Sequence, residues 1–166
     1  MKEIMSLLLC MLTLFSIAGC KKTESYTNPV TFYYLGNDLS YDAQASAIQG
    51  ETREGAGMVT LENMLTLYLQ GPESEELSSP FPAGLVLISA VQEADTLHLT
   101  FSRQLGNLSG LNLTVACCCI ARTCLDLTDA VNITIQAQDS LLGGERSLTF
   151  HAENMLLLDQ VQQPQS

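Results

Sequence analysis

The chain is poor in basic side chains and in histidine, and it contains no tryptophan. Among its 166 residues, 7 lysines and arginines stand against 18 aspartates and glutamates, so that the net charge is −11 at pH 7. Because lysine and arginine bind the phosphates of nucleic acids, this deficit argues against a nucleic-acid partner. It favours solubility and a basic protein partner. The only histidines are His98 and His151.

The N-terminus lacks an apolar run long enough to span a membrane. Leu7 to Ile17 is apolar, but a membrane-spanning helix needs ~20 residues. Lys2 before this run and small residues after it are typical of an export signal. The following "IAGC" resembles the bacterial lipobox, in which the cysteine is acylated and the chain is cut before it. We expect residues 1–19 to be removed and Cys20 to be lipidated. The alternative is an ordinary secretory signal with an incidental cysteine.

A lipid on Cys20 would place the protein on the extracytoplasmic face of a bacterial cell membrane. Stable anchoring needs two acyl chains, which a diacylglyceryl group supplies. Lys21 and Lys22 would then pair with anionic lipid head groups at the membrane surface. Residues 20–29 are polar and end in a proline, which indicates a short tether.

Residues 30–140 show the alternating and helical patterns of a folded domain. Leu61, Met64, Leu65 and Tyr68 recur at helical spacing before a Gly-Pro stop. The other predicted elements are a first strand at "VTFYYLGND", an uncertain strand near 43–48, two strands around a Glu-Ala-Asp turn in "LVLISAVQEADTLHLTFS", a helix over 109–127 and a strand at "AVNITIQAQD". Residues 141–166 are assigned to a C-terminal extension and tail.

The order of these elements predicts an α+β fold. We expect a two-layer βαββαβ sandwich with both helices on one face of a small sheet, because a strand–helix–strand crossover is right-handed. Leu97, Leu99 and Phe101 share one face of their strand, which places His98 on the opposite face.

Four of the six cysteines lie within "ACCCIARTC", residues 116–124. On a helix, Cys117 and Cys124 fall in one apolar stripe and are expected to be buried, Cys118 lies at its flank, and Cys119 points toward Arg122 and is expected to be exposed. Consecutive helical cysteines diverge, and the spacing has no second cysteine or histidine pair of a zinc site. We therefore predict a structural role, with no metal and no cofactor, over a redox or intermolecular thiol role.

Several stretches resemble the GerMN domain of sporulation and spore germination proteins. They are "LENMLTLYLQGP", "SPFPAGLVLISAVQEADTLHLTFS" and "LTVACCCIARTCLDLTDAVNITI", within 31–139. Thr123 and Leu127 match residues usual in that family, whereas "TDA" occupies a turn where Pro-Gly-Val is common. The resemblance implies a lipid-anchored, extracytoplasmic module of Gram-positive bacteria, with a fold similar to ring-building motifs. It implies no enzyme activity and no catalytic residues.

Two function classes remain open from the sequence. The first is a non-catalytic interaction module that contacts envelope or sporulation-complex proteins, with a possible oligomer. The second is a lipoprotein that binds a small molecule or a peptidoglycan fragment. A sheet face that is flat favours the first class, and a concave pocket with convergent polar groups favours the second. For the first class, the strand "TFYYL" is expected at a sheet edge, and the acidic loop Glu73–Glu76 is a candidate contact for a basic partner.

Overall fold

The computed structural model describes residues 29–37, 47–54 and 60–155. They include seven strands, two α-helices and one 3-10 helix, and residues 152–155 after the last strand are also helical. The strands are β1 Val30–Gly36, β2 Ile48–Arg53, β3 Leu77–Ser78, β4 Leu87–Glu93, β5 Thr96–Phe101, β6 Asn132–Ala137 and β7 Ser147–His151. The helices are α1 Leu61–Tyr68 and α2 Gly110–Leu127, and the 3-10 helix is Arg103–Asn107.

The predicted α+β class is confirmed, and β1, α1, β4, β5, α2 and β6 follow the predicted order. The strands form two sheets, however, where one was expected. The first sheet has the order β2-β1-β3, and the second has the order β4-β5-β6-β7. Strand β7 lies within residues 141–166, which the sequence assigned to an extension, and it pairs with β6 along its whole length. Because α2 contacts both β1 and β6, a single core joins the two sheets.

The second sheet is built from a hairpin and a helical crossover. Strands β4 and β5 are antiparallel and close around Ala94 and Asp95, with Ala94 at a φ of 53°. Helix α2 then carries the chain back, so that β6 lies parallel to β5. Leu97, Leu99 and Phe101 are all buried, as the alternation predicted. The apolar face of this sheet therefore points at the helices.

Strand β1 is not the edge strand that the sequence predicted. It is paired with β2 along six residues and with the short β3 at Leu35 and Gly36. Beyond β3, side chains from both helices close its second side. The Tyr33 amide donates to Thr123 Oγ1 of α2 at 3.0 Å, and the Tyr33 carbonyl accepts from the Tyr68 hydroxyl of α1 at 2.6 Å. The backbone at this point is therefore satisfied within the domain.

Helix α2 is buried along two stripes rather than the one that was predicted. The predicted stripe consists of Leu113, Cys117, Ile120, Cys124 and Leu127, of which the first four are buried and Leu127 is half-buried. A second stripe, Ala116, Cys119 and Thr123, is also fully buried, because it lies on the side of the helix that faces β1. The expectation that Cys119 is exposed is therefore wrong. Cys118 is partly exposed, at the flank.

Next to the stripe of Cys119, the side chains of Arg122 and Asp126 contact Tyr33 of β1. The Tyr33 ring lies under the Arg122 guanidinium, 5.1 Å from the ring centre, and its hydroxyl donates to Asp126 at 2.6 Å. Burial raises the pKa of the Cys117 and Cys119 thiols to about 12. These thiols therefore stay protonated near neutral pH and behave as small apolar groups.

By length and apolar composition alone, α2 would also suit a membrane-spanning helix. Half of it is buried inside the domain, which is the behaviour of a core helix.

An ion pair on β2 fastens the loop that follows α1. Arg53 and Glu51 lie on the same face of β2, and Arg53 Nε donates to Glu51 at 2.7 Å. Arg53 also donates to the Gly71 carbonyl at 2.7 Å, and Glu51 accepts from the Ser74 amide at 2.7 Å. Their side chains are 7% and 11% exposed, so that the pair is largely excluded from water.

Aromatic rings cover this ion pair on the core side. Phe32 and Tyr34 of β1 lie 5.4 and 5.7 Å beneath the Arg53 guanidinium. Both rings contact Tyr68 of α1, with ring centres 5.3 and 5.0 Å apart. The first sheet is thus joined to α1 by aromatic packing, and to the loop after α1 by the hydrogen bonds of Arg53 and Glu51.

The bond between Tyr33 and Thr123 supports the first test. Thr123→Val keeps the shape of the side chain but removes the acceptor, which leaves the partly buried Tyr33 amide without this partner. We expect a loss of about 1–3 kcal/mol in the free energy of unfolding, measured in urea. Thr114→Val is the matched control on the same helix, because the Thr114 hydroxyl is exposed and bonds only its own helix. Equal stability of the two variants would show that the Thr123 contact is not important.

The Glu51–Arg53 pair supports a test of pH dependence. Burial raises the pKa of the Glu51 carboxyl, but the hydrogen bonds from Arg53, Ser74 and Glu73 outweigh burial, and the pKa is lowered from its ordinary value of 4.5. A lowered folded pKa stabilises the protein above the unfolded pKa, and this stabilisation is lost as the pH falls through the folded pKa.

Glu51→Gln should therefore be less stable by about 2 kcal/mol or more at neutral pH, because Arg53 is left without a counter-charge. It should also lose less stability than the wild type on acidification below pH 4.5. Urea unfolding between neutral and acidic pH measures both effects. The control is Glu54→Gln, which changes an exposed carboxyl beside the same strand. A pH profile of Glu51→Gln that matches the wild type would contradict the assignment.

Candidate interaction surface

The outer face of the second sheet is a regular grid of polar side chains. We call the residues of this grid the outer face. Strand register places them in three cross-strand rows of four, one residue from each of β4, β5, β6 and β7. The rows are Glu93–Thr96–Asn132–His151, Val91–His98–Thr134–Thr149 and Ser89–Thr100–Gln136–Ser147. Both histidines of the chain lie on it, with His98 on the face predicted from the alternation. Apart from Glu93 at one corner, the outer face carries no carboxylate and no lysine or arginine.

Neighbouring side chains of the outer face bond to one another across the strands. Gln136 Nε2 donates to Thr100 at 2.7 Å, and the Thr134 and Thr149 hydroxyls lie 3.2 Å apart. His151 Nδ1 and Asn132 Oδ1 are 2.7 Å apart. Such cross-strand pairs fix the rotamers and hold the outer face as a preformed surface.

The surroundings of the histidines do not resemble a nucleophilic site. The ring of His151 is held by an amide oxygen, whereas a catalytic histidine is usually oriented by a carboxylate and bonded to a nucleophile. His98 lies opposite Val91 and Thr134. Within residues 29–37, 47–54 and 60–155, no three side chains of histidine, cysteine, aspartate or glutamate come together in a way that could hold a metal ion.

An apolar margin borders the outer face at β4. Val86, Ile88 and Val91 are 54%, 51% and 49% exposed. Strand β4 is an edge strand of its sheet, and the ladder shifts register between Leu87 and Ser89. The sequence contains no charged residue from 77 to 92, so the margin is neutral as well as apolar. In a chain with a net charge of −11, this surface is unusual.

The acidic loop predicted as a contact for a basic partner lies at the end of β1. The side chains of Glu73, Glu75 and Glu76 are exposed. Its backbone is held, because Asn37 donates from Nδ2 to the Glu75 carbonyl at 2.8 Å and from its amide to the Glu76 carbonyl at 2.9 Å. Carboxylates on a fixed backbone form a preorganised negative patch.

Cys20, the predicted lipidation site, lies outside the described residues.

The ion pair between Glu51 and Arg53 and the contact between Tyr33 and Thr123 were not anticipated from the sequence. Glu and Arg two positions apart share one face of a strand, and this spacing was the available signal for the ion pair. No local pattern indicated the second contact, because it joins residues 90 positions apart.

Comparison with known proteins identifies the family. The family model for Germane, described as sporulation and spore germination, matches residues 31–140. Among solved structures, the tandem GerMN domains of the sporulation protein GerM from Bacillus subtilis are similar, with a TM-score of 0.53 and 16% identity. The alignment covers 79% of this chain and 47% of that one, so this chain spans about half the length of its tandem relative.

A second similar structure is a candidate lipoprotein from Clostridium perfringens. It has a TM-score of 0.45 and 22% identity, and the alignment covers 76% of this chain and 89% of that one. No curated protein matches the sequence. The family model covers well over half of the chain, and the similarity to GerM agrees with it at the level of the fold. The chain therefore belongs to the Germane family of sporulation and spore germination domains.

Proposed function

We propose that the protein is a lipid-anchored, extracytoplasmic module that acts by contacting other envelope proteins, without catalysis, in sporulation or germination. The match to the Germane family supports a role in sporulation or germination. The lipobox-like sequence ending at Cys20 supports the anchor. The observation that carries the non-catalytic part is the outer face, whose polar groups are bonded to each other.

In a ligand-binding site, the same polar residue types would bond to the ligand instead of to one another. Polar groups of a binding pocket converge on the ligand and keep bonding capacity free for it. On the outer face, the side chains of Gln136, Asn132 and Thr134 bond to neighbours on adjacent strands. A pleated surface of this kind suits contact with another protein better than enclosure of a small molecule.

The acidic loop supports a basic partner. Its carboxylates are exposed and its backbone is fixed by Asn37. Charges of this kind act mainly by accelerating association, and salt screens their effect.

The anchor is tested by Cys20→Ala. Without the thiol, no acyl chain is attached, and we expect the protein to leave the membrane fraction or to remain as the uncut precursor. Fractionation and mass spectrometry of the mature N-terminus measure both outcomes, and Cys118→Ala serves as the control. A wild-type protein that is found free outside the cell would contradict the anchor.

The partner is tested by charge reversal in the acidic loop. Glu75→Lys with Glu76→Lys changes only exposed side chains and leaves the carbonyls that Asn37 holds in place. Cross-linking in native membranes, followed by mass spectrometry, should show weaker capture of a basic envelope protein, most clearly at low salt.

Glu145→Lys with Glu153→Lys is the matched control, since both residues are exposed and the change in net charge is the same. Equal capture by the two double variants would eliminate the loop as the contact. A hydrolase activity on cell-wall material that disappears with His98→Ala or His151→Ala would contradict the non-catalytic proposal as a whole.

A further inference from the structure

Strand β4 combines three features that belong to a pairing edge. Within the described part of the chain, β5 is its only strand neighbour. An antiparallel ladder leaves the N–H and C=O groups of every second residue pointing away from the neighbour, so that β4 presents a row of backbone groups. The exposed side chains beside that row are Val86, Ile88 and Val91.

Edge strands of soluble domains are usually protected against pairing. Lysine or proline within the strand, a bulge or a covering element are the common devices. From Leu87 to Gln92, β4 has neither lysine nor proline, although its ladder is irregular between Leu87 and Ser89 and helix α1 contacts the strand. The side chains of Val86, Ile88 and Val91 remain about half exposed beside that contact. The part of β4 from Ser89 to Glu93 pairs regularly with β5.

We propose that β4 is the site at which two copies of this chain associate, by antiparallel pairing of β4 with β4 across a two-fold axis. This pairing would be one specific form of the interaction role proposed above, and it rests on that role. The pairing would join the two four-stranded sheets into one sheet of eight strands. The outer faces of the two copies would then form one continuous neutral surface.

Charge distribution favours a second copy as the occupant. Two molecules that each carry −11 repel one another, so they can approach only where their surfaces are neutral. The uncharged stretch 77–92 provides such a surface, and it includes β4 up to its last residue. A basic partner, in contrast, would gain nothing from a surface without carboxylates.

The two-fold geometry also keeps the Glu93 side chains of the two copies apart, and Glu93 is the one charged residue of the strand. If the axis passes at Ala90, Glu93 of one copy lies opposite Leu87 of the other. The two Glu93 carboxylates are then about 20 Å apart along the strands, at ~3.4 Å per residue. This exceeds the Debye length of about 8 Å at physiological salt, so their repulsion is screened. Val91 meets Ser89 of the other copy in this register.

The test is the association state of the full chain, purified from membranes in detergent and followed by sedimentation over a range of protein concentrations. We expect a reversible dimer that becomes tighter as salt rises from physiological concentration to about 0.5 M, because salt screens the repulsion between the two acidic copies. This salt dependence is opposite to that expected for capture of a basic partner by the acidic loop.

Val91→Lys should weaken the dimer about tenfold or more, because two ammonium groups would then lie diagonally across the axis at about 7–8 Å. Val131→Lys is the matched control, since Val131 is 47% exposed and lies outside β4. Ile88→Lys is a second variant at a half-exposed position of β4, and circular dichroism checks that each variant is folded.

A chain that stays monomeric at every concentration and salt would overturn the proposal. A dimer that Val91→Lys and Ile88→Lys weaken no more than Val131→Lys does would overturn it too. Absence of a dimer of the unmodified chain, together with capture of the basic partner, would refute this inference alone. Loss of partner capture with the dimer unchanged would refute the proposed envelope contact alone.

Discussion

The backbone of Tyr33 is the point at which the first sheet is joined to both helices. Its amide donates to Thr123 on α2, and its carbonyl accepts from Tyr68 on α1. These bonds occupy positions that a neighbouring strand would otherwise fill. A strand edge left unpaired inside a protein is costly, because buried amide and carbonyl groups need partners. Side chains of two helices meet that need and orient both helices against β1.

The rest of the core is arranged around this contact. Since Thr123 faces β1, the stripe that includes Ala116 and Cys119 is buried with it, and the helix also packs against β6 of the second sheet. Tyr68 brings α1 against the rings of Phe32 and Tyr34. The burial of three cysteines therefore follows from the position of the helix between two sheets. Their protonated thiols suit packing rather than redox or metal chemistry.

The same arrangement determines which surfaces remain for other molecules. Strand β1 is flanked by β2 on one side, and by β3 and the helices at Tyr33, Leu35 and Gly36 on the other, so its central part is not free for pairing. The surfaces that remain differ in charge. The acidic loop is negative and is held by Asn37 and the Glu51–Arg53 pair, whereas β4 and the outer face are nearly neutral. One domain thus presents two chemically distinct contacts, one suited to a basic partner and one to an equally acidic copy of itself.

By itself, the sequence determined the elements whose signals are local. Periodicity located α1, the β4–β5 hairpin, α2 and β6, because apolar residues recur at the spacing of the element that buries them. It also placed His98 on the outer side of β5, and Gly-Pro after α1 marked the end of that helix. The α+β class followed from the order of these elements. Thus the residues of the outer face on β5 and β6 were predictable, although their bonding was not.

Only the tertiary structure decided how these elements meet. The division into two sheets, the addition of β7 and the central position of β1 depend on pairings between residues far apart in the chain. The burial of Cys119 and the exposure of Val91 are decided by which face a second layer covers. Periodicity shows that a helix or strand has an apolar face. It does not show that a polar-looking side, such as that of Cys119 beside Arg122 and Asp126, is covered by strand β1 of the other sheet.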